Sequence, residues 1–163
     1  MKYGLIVAVI VLAIGGYVLY SKSASPVPPA GVSPSVAADV KAKGTPFSGS
    51  VADLVVKNEP TRCVLTGEAA EAALHVASGK VRLDVSLKTE KQTIDKHVIF
   101  DGATLYAWDS LTPSGSKKEI TFEQLKKEDP TFESKVVGYV CVPWAADSGV
   151  FVAPSSVTFV ESK

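Results

Sequence analysis

Two cysteines and two histidines are the side chains of this sequence best suited to redox chemistry, metal binding or proton transfer. Cys63 and Cys141 both lie in apolar, strand-like stretches, where they are either joined in a disulfide or are two ordinary buried thiols. An even cysteine count behind an apolar N-terminal segment favours the disulfide. Such a bridge closes most of the domain into one loop and stabilises it by about 4 kcal/mol.

The positions of these cysteines and histidines are less consistent with a metal site or with a proton-transfer site. A zinc site that combined both cysteines with His75 and His97 would lack a closely spaced ligand pair, so no metal site is expected. Both histidines fall on strand positions opposite the apolar residues, which predicts solvated side chains whose charge varies near neutral pH. The acidic residues are explained by turns or by strand alternation, so no acid–base pair is expected among Asp84, Asp95, Asp101 and Asp109.

The sequence carries no recognisable catalytic motif. It lacks a nucleophile elbow, a zinc-protease motif, a phosphate-binding glycine loop and a dinucleotide fingerprint, so neither an enzyme nor a cofactor is expected. Its 17 basic and 17 acidic residues balance, which argues against a nucleic-acid partner. Tyr106, Trp108 and Trp144 remain as candidates for lining a ligand cavity, although such residues more often pack in a core or at an edge.

The N-terminal segment predicts where the chain is located. Residues 4–20 are uncharged and lie between Lys2 and Lys22. As a helix they span about 26 Å, or about 30 Å with their flanks, which matches a bilayer core. A cleaved signal peptide is the alternative, but its apolar stretch is shorter, and the best cleavage site here carries Lys22. We therefore predict a single-pass anchor at residues 1–22 in the cytoplasmic membrane, with the soluble domain on the extracytoplasmic side.

A linker and one domain follow the anchor. Residues 23–44 are rich in Pro, Ala and Ser, which is typical of an extended spacer without a core. In the domain, residues 45–163, a helix is expected to begin after Ser48 or Ser50 and to end before Pro60. Thr121 and Gln124 have the spacing of a capping box, which predicts a second, short helix that stops before Pro130.

Most of the domain has the pattern of β-strands. Val81, Leu83, Val85 and Leu87 alternate strictly with polar residues, and Asp101-Gly102 is a strong hairpin signal. Strands are expected at 61–66, 70–76, 81–88, 93–100, 103–109, 136–142 and 156–160. The predicted fold class is α+β, with a single curved antiparallel sheet, similar to a half-barrel, packed on the N-terminal helix and the inserted helix.

Three stretches together resemble a known group of proteins. They are SGKVRLD at 78–84, DGATLYAW at 101–108 and YVCVPW at 139–144, with Cys63 upstream. They resemble membrane-anchored extracytoplasmic proteins of small uncultivated bacteria, a group without an established activity. More distantly, the strand order is similar to the half-barrel of lipoprotein-carrier proteins of the LolA and LolB type, in which a curved sheet wraps helices around an apolar cavity.

Two functions are consistent with this sequence. The resemblance implies a binding module that holds a lipid, an acyl chain or a lipoprotein segment outside the cytoplasmic membrane. The proline-rich linker, the neutral charge and the missing catalytic motifs suggest the alternative, a non-enzymatic structural or protein-interaction domain at the cell envelope. The sequence names no protein partner for either function.

Overall fold

The computed structural model describes residues 39–41, 43–66, 70–134 and 138–162. The predicted anchor at 1–22 and most of the linker at 23–44 lie outside the described residues. None of the helices within these ranges is both long and apolar enough to cross a membrane. Residues 39–41 and 43 are helical and Val40 is fully buried, so the chain is already part of the folded structure at that point.

One curved sheet of nine strands forms the framework of the domain. Its strand order is β1-β8-β2-β3-β4-β5-β6-β7-β9, and the described pairs are antiparallel except β7 with β9. The strands are β1 (Thr45–Pro46), β2 (Thr61–Thr66), β3 (Ala70–Ala77), β4 (Lys80–Lys88), β5 (Thr93–Phe100), β6 (Thr104–Asp109), β7 (Ser114–Glu119), β8 (Val140–Pro143) and β9 (Thr158–Glu161). Besides the helical residues 39–41 and 43, the described part of the chain has the helices α1 (Val51–Lys57) and α2 (Phe122–Glu128), with 3-10 turns at Pro130–Phe132 and Ser148–Phe151. The α+β prediction with one curved sheet is therefore confirmed.

Two strands were not predicted from the sequence. Strand β7 has the sequence SGSKKE, which lacks apolar alternation, and it is held in the sheet by pairing with β6 and β9. Strand β1 has only two residues and pairs with β8 at one edge of the sheet. The hairpin predicted at Asp101-Gly102 is confirmed. The two central residues of its turn are Gly102 and Ala103, and Asp101 precedes them. The Asp101 carboxylate stabilises the turn by accepting hydrogen bonds from the N–H groups of Ala103 and Thr104.

The two faces of the sheet have different coverings. One face, here called the helix face, contributes Cys63, Leu74 and Phe100 to the main core, which α1 and α2 complete. These helices add Leu54, Val55 and Leu125 to the core. The opposite face, here called the loop face, packs against the connection between β8 and β9, residues 144–157, whose Phe151 contacts Ala77 and Ile99. Both faces are therefore covered in part by the chain itself.

Both helices begin at the residues predicted to cap them. Ser50 Oγ accepts a hydrogen bond from the N–H of Asp53 (3.1 Å), and the Asp53 carboxylate accepts one from the N–H of Ser50 (2.7 Å). Thr121 and Gln124 form the same reciprocal pair at α2. Because these bonds satisfy N–H groups that have no partner within the helix, they fix where each helix starts.

Replacing Ser50 with alanine is expected to destabilise the domain by about 1–2 kcal/mol, because α1 loses its cap while it carries Leu54 and Val55 into the core. Urea denaturation followed by circular dichroism measures the change. Ser155→Ala, an exposed serine outside any helix, is the matched control and should leave the free energy of unfolding within about 0.5 kcal/mol of the parent. Equal stabilities for the two variants would contradict this prediction.

Candidate functional site

The three aromatic residues selected from the sequence lie on the loop face around one small apolar cluster. Tyr106, Trp108 and Trp144 all pack against the cluster formed by Ala77, Ile99 and Phe151. Tyr106 and Trp108 are neighbours on the same face of β6, whereas Trp144 follows β8 directly. The structure therefore brings all three side chains to one face, although they come from two distant parts of the chain.

Tyr106 and Trp108 share a further aromatic neighbour, Phe159 on β9. The ring of Phe159 meets both rings edge-on, with centroid distances of 5.2 Å to Tyr106 and 5.7 Å to Trp108. Gly115 makes room for this contact, because a Cβ atom there would lie 2.7 Å from a ring carbon of Phe159. A side chain at position 115 would therefore displace Phe159 from the aromatic group.

Tyr106 also lines a cavity at the edge of the sheet where β6, β7 and β9 meet. The cavity has a volume of about 530 Å³, within the size range of small-molecule sites. It is lined by residues whose side chains carry a charge or a hydroxyl group: Thr104, Tyr106, Lys117, Lys118, Glu119, Glu161 and Ser162. The side chain of Lys118 itself points to the helix face, because Lys118 is the register partner of Leu105. Lys117 forms an ion pair with Glu161 (3.4 Å), and Lys118 forms one with Glu128 (2.7 Å).

A buried polar cluster lies beside these aromatic residues. Asp84 Oδ1 is 2.6 Å from Nδ1 of His97, and Asp84 Oδ2 accepts a hydrogen bond from Nε of Arg82 (2.8 Å). Nη1 of Arg82 donates to the carbonyl oxygen of Val150 (3.0 Å), which ties the cluster to the β8–β9 connection. The ring of His97 stacks on Trp108 with a centroid distance of 4.9 Å.

The prediction of solvated histidines was wrong. The exposed fraction of His97 is 3%, and that of Asp84 is 6%. Both lie opposite the apolar positions of their strands, as the alternation indicated, but the β8–β9 connection and Trp108 cover that face. Strand alternation was expected to account for Asp84, whereas Asp84 forms a buried pair with His97 that changes its pKa. The available signal was the apolar content of residues 144–151, which must pack against some part of the sheet.

Asp84 is held in its ionised form. Burial alone would raise the pKa of Asp84, but hydrogen bonds from His97 and Arg82 outweigh the burial and lower it below the usual range. A carboxylate only accepts hydrogen bonds, so Nδ1 of His97 is the donor. Nε2 of His97 has no hydrogen-bond partner among the described residues. Together with Arg82, the pair ties β4 and β5 to the β8–β9 connection.

The cysteines lie opposite each other on neighbouring strands of the helix face. Cys63 on β2 and Cys141 on β8 are register partners at disulfide-bonding distance, with a Cα–Cα separation of 4.0 Å. Both are buried, with exposed fractions of 0% and 8%. This arrangement agrees with the bridge that the sequence favoured. The described residues contain no group of three or more His, Cys, Asp or Glu side chains placed to hold a metal ion.

His75 is the second histidine on the loop face, where its side chain is half-buried. Burial lowers the pKa of His75 to about 4 from an ordinary value of 6.5. The positive charges of Arg62 and Arg82 lower this pKa further, whereas the negative charge of Asp84 raises it. The unfolded chain therefore takes up a proton at His75 at a higher pH than the folded chain. Stability should fall by about 2–3 kcal/mol as the pH drops from about 6.5 to about 4.

Measurements of urea denaturation at several pH values between 4 and 7 test this prediction. His75→Gln should flatten the dependence on pH relative to the parent, whereas Lys57→Gln, an exposed change on α1, should preserve it. Titration of the histidine ring protons by NMR gives the pKa of His75 directly. A value near 6.5 would contradict the account.

Comparison of the chain with protein-family models, with curated proteins and with solved structures found no match. The resemblance to lipoprotein-carrier proteins and to the membrane-anchored group therefore stays a prediction.

Proposed function

We propose that this chain is a non-enzymatic binding module, anchored by residues 1–22 on the extracytoplasmic side of the cytoplasmic membrane. Its recognition site is the cavity beside Tyr106, and its ligand is a polar group or a segment of a protein partner. The observation that carries this proposal is the charged and hydroxylated lining of that cavity next to the aromatic group of Tyr106, Trp108 and Phe159.

The lining favours a polar ligand over an acyl chain. An acyl chain in the cavity would remove Lys117, Glu119 and Glu161 from water without replacing their hydrogen bonds, which is unfavourable. The apolar residues of the helix face, where a half-barrel carrier would hold its lipid, pack against α1 and α2 in the main core. Of the two functions suggested by the sequence, the protein-interaction domain therefore has more support than the lipid-binding module.

The cavity also has the features of a specific interaction surface. An aromatic ring beside charged and hydroxyl groups supplies contact area together with directional hydrogen bonds, as in many binding sites. Lys117 and Glu161 form an exposed ion pair, which a ligand can exchange for its own charges at small cost. The Asp84–His97–Arg82 cluster lies next to this site and, in the proposal, holds the shape of the aromatic group.

Site-specific photo-crosslinking in intact cells tests the proposal. A photoreactive residue at Thr104, inside the cavity, is expected to give one defined adduct, whereas the same residue at Lys57 on α1 should give none. Lys117→Glu should remove the adduct from Thr104, because it reverses a charge in the lining. Mass analysis of the adduct decides its class, and a lipid mass would overturn the proposal in favour of the lipid-binding module.

A further inference from the structure

Besides Nε2 of His97, three buried side-chain nitrogen atoms on the loop face have no hydrogen-bond partner within the described part of the chain. They are Nε of Arg62, Nδ1 of His75 and Nε1 of Trp144. Nε of Arg62 and Nε1 of Trp144 always carry a hydrogen. Two of these three atoms are therefore donors without an acceptor. Buried donors in folded proteins are nearly always paired, so such a group calls for an explanation.

These atoms belong to neighbouring side chains. Arg62 on β2 and His75 on β3 are register partners, so their side chains stand next to each other on the loop face. The ring of Trp144 meets the ring of His75 edge-on at a centroid distance of 5.1 Å. The backbone N–H of Trp144 donates to the carbonyl oxygen of Pro60 (3.2 Å), which holds the tryptophan beside the start of β2.

The charge of this group is one positive unit near neutral pH. His75 is neutral there, since burial lowers its pKa to about 4. Arg82, the next residue across the sheet, is already engaged by Asp84 and by the carbonyl oxygen of Val150. Arg62 has no carboxylate within ion-pair distance among the residues that the structure describes. Arg62 therefore forms no ion pair with a described residue, although its charge reaches Asp39, whose pKa is lowered mainly by Lys43 and to a smaller extent by Arg62. The rings of His75 and Trp144 lie on the same face as this guanidinium.

We propose that Arg62, His75 and Trp144 form a binding site for a carboxylate group. A carboxylate is planar, carries a single negative charge and accepts several hydrogen bonds, so it matches one guanidinium and an indole N–H in charge and in hydrogen-bonding capacity. A phosphate dianion would bring a second charge for which this group has no cation. The site lies at β2, β3 and β8, away from the cavity at β6, β7 and β9, and is independent of the proposed function.

The carboxylate can belong to a small free acid or to the C-terminus of a peptide. Both sources present the same group to Arg62 and Trp144, and they differ in whether the rest of the ligand adds contacts. Acetate represents the free acid. Acetyl-glycylglycine represents the peptide end, and its C-terminal amide is the matched control without a charge.

The test uses NMR of the full chain in detergent micelles, because the chain has only two tryptophans and hence two indole N–H signals. At pH 7 and constant ionic strength, acetate should shift the Trp144 signal saturably and leave the Trp108 signal in place. Trp144→Phe assigns the signal. Tighter binding of acetyl-glycylglycine than of acetate indicates a peptide end, equal binding indicates a free acid, and either result supports the site.

Arg62→Gln should weaken acetate binding at least tenfold, whereas Lys57→Gln should leave it unchanged. An unshifted Trp108 signal in Arg62→Gln shows that the variant is folded. The proposal is overturned if the Trp144 signal does not move with acetate, which would leave bound water as the partner of these atoms. It is also overturned if the amide shifts the signal as much as the acid does.

Discussion

Replacing Cys63 and Cys141 together with alanine is expected to lower the free energy of unfolding by about 4.5 kcal/mol. The two residues are 78 positions apart, and a cross-link over such a distance removes a large part of the conformational entropy of the unfolded chain. In the folded state they join β2 to β8, a four-residue strand that lies between β2 and β1. Loss of the bridge therefore also weakens the attachment of β8 and of Trp144, which follows it.

Urea denaturation of the double variant measures this effect, and the parent chain under reducing conditions is the internal comparison. The reduced parent and the alanine variant should lose similar amounts of stability, since both lack the same cross-link. Ser155→Ala serves again as a control for the effect of an exposed substitution. A loss below about 1 kcal/mol in the double variant would contradict the bridge as a main source of stability.

Replacing Asp84 with asparagine is expected to destabilise the domain by about 3–5 kcal/mol. Asp84 balances the buried charge of Arg82 and fixes the ring of His97, and removal of one partner leaves the other group buried without compensation. The pKa of Asp84 is lowered, so its ionised form stabilises the fold at neutral pH. This contribution to the free energy of unfolding is lost as the pH falls from the ordinary pKa of aspartate through the lowered pKa of Asp84 in the folded state.

Glu90→Gln is the matched control, because it removes the same charge at an exposed position in the loop between β4 and β5. It should change the free energy of unfolding by no more than about 0.5 kcal/mol. The fluorescence of Trp108 adds a local readout, since His97 stacks on that ring. If Asp84→Asn were as stable as Glu90→Gln, the cluster would not be holding the loop face together.

Local signals explain which parts of the fold were predictable. The caps at Ser50 and Thr121 are short-range hydrogen-bond patterns, and the alternation in β4 reports which residues face the core. Strand β7 carries no such pattern, because its position in the sheet comes from its neighbours. The pairing of Cys63 with Cys141 depends on β2 lying beside β8. The even cysteine count behind the apolar segment favoured a bridge, but it could not predict this non-local arrangement of the strands.

The candidate site was predictable only in part, for a related reason. Tyr106 and Trp108 were selectable as aromatic residues two positions apart on one strand, hence on one face. The burial of His97 and Asp84 depends on the path of residues 144–157 across the loop face, which strand periodicity does not encode. Arg62 was missed for the same reason, because the lack of an ion pair to its guanidinium among the described residues is a property of the assembled sheet.

Native mass spectrometry of the full chain, released gently from detergent, tests the central proposal most directly. We expect a bound species that is polar or peptidic in mass, that dissociates on mild activation, and that is lost from Lys117→Glu. Lys57→Gln should retain it. A lipid-mass species that remains bound to Lys117→Glu would contradict the account and restore the lipid-binding module as the leading function.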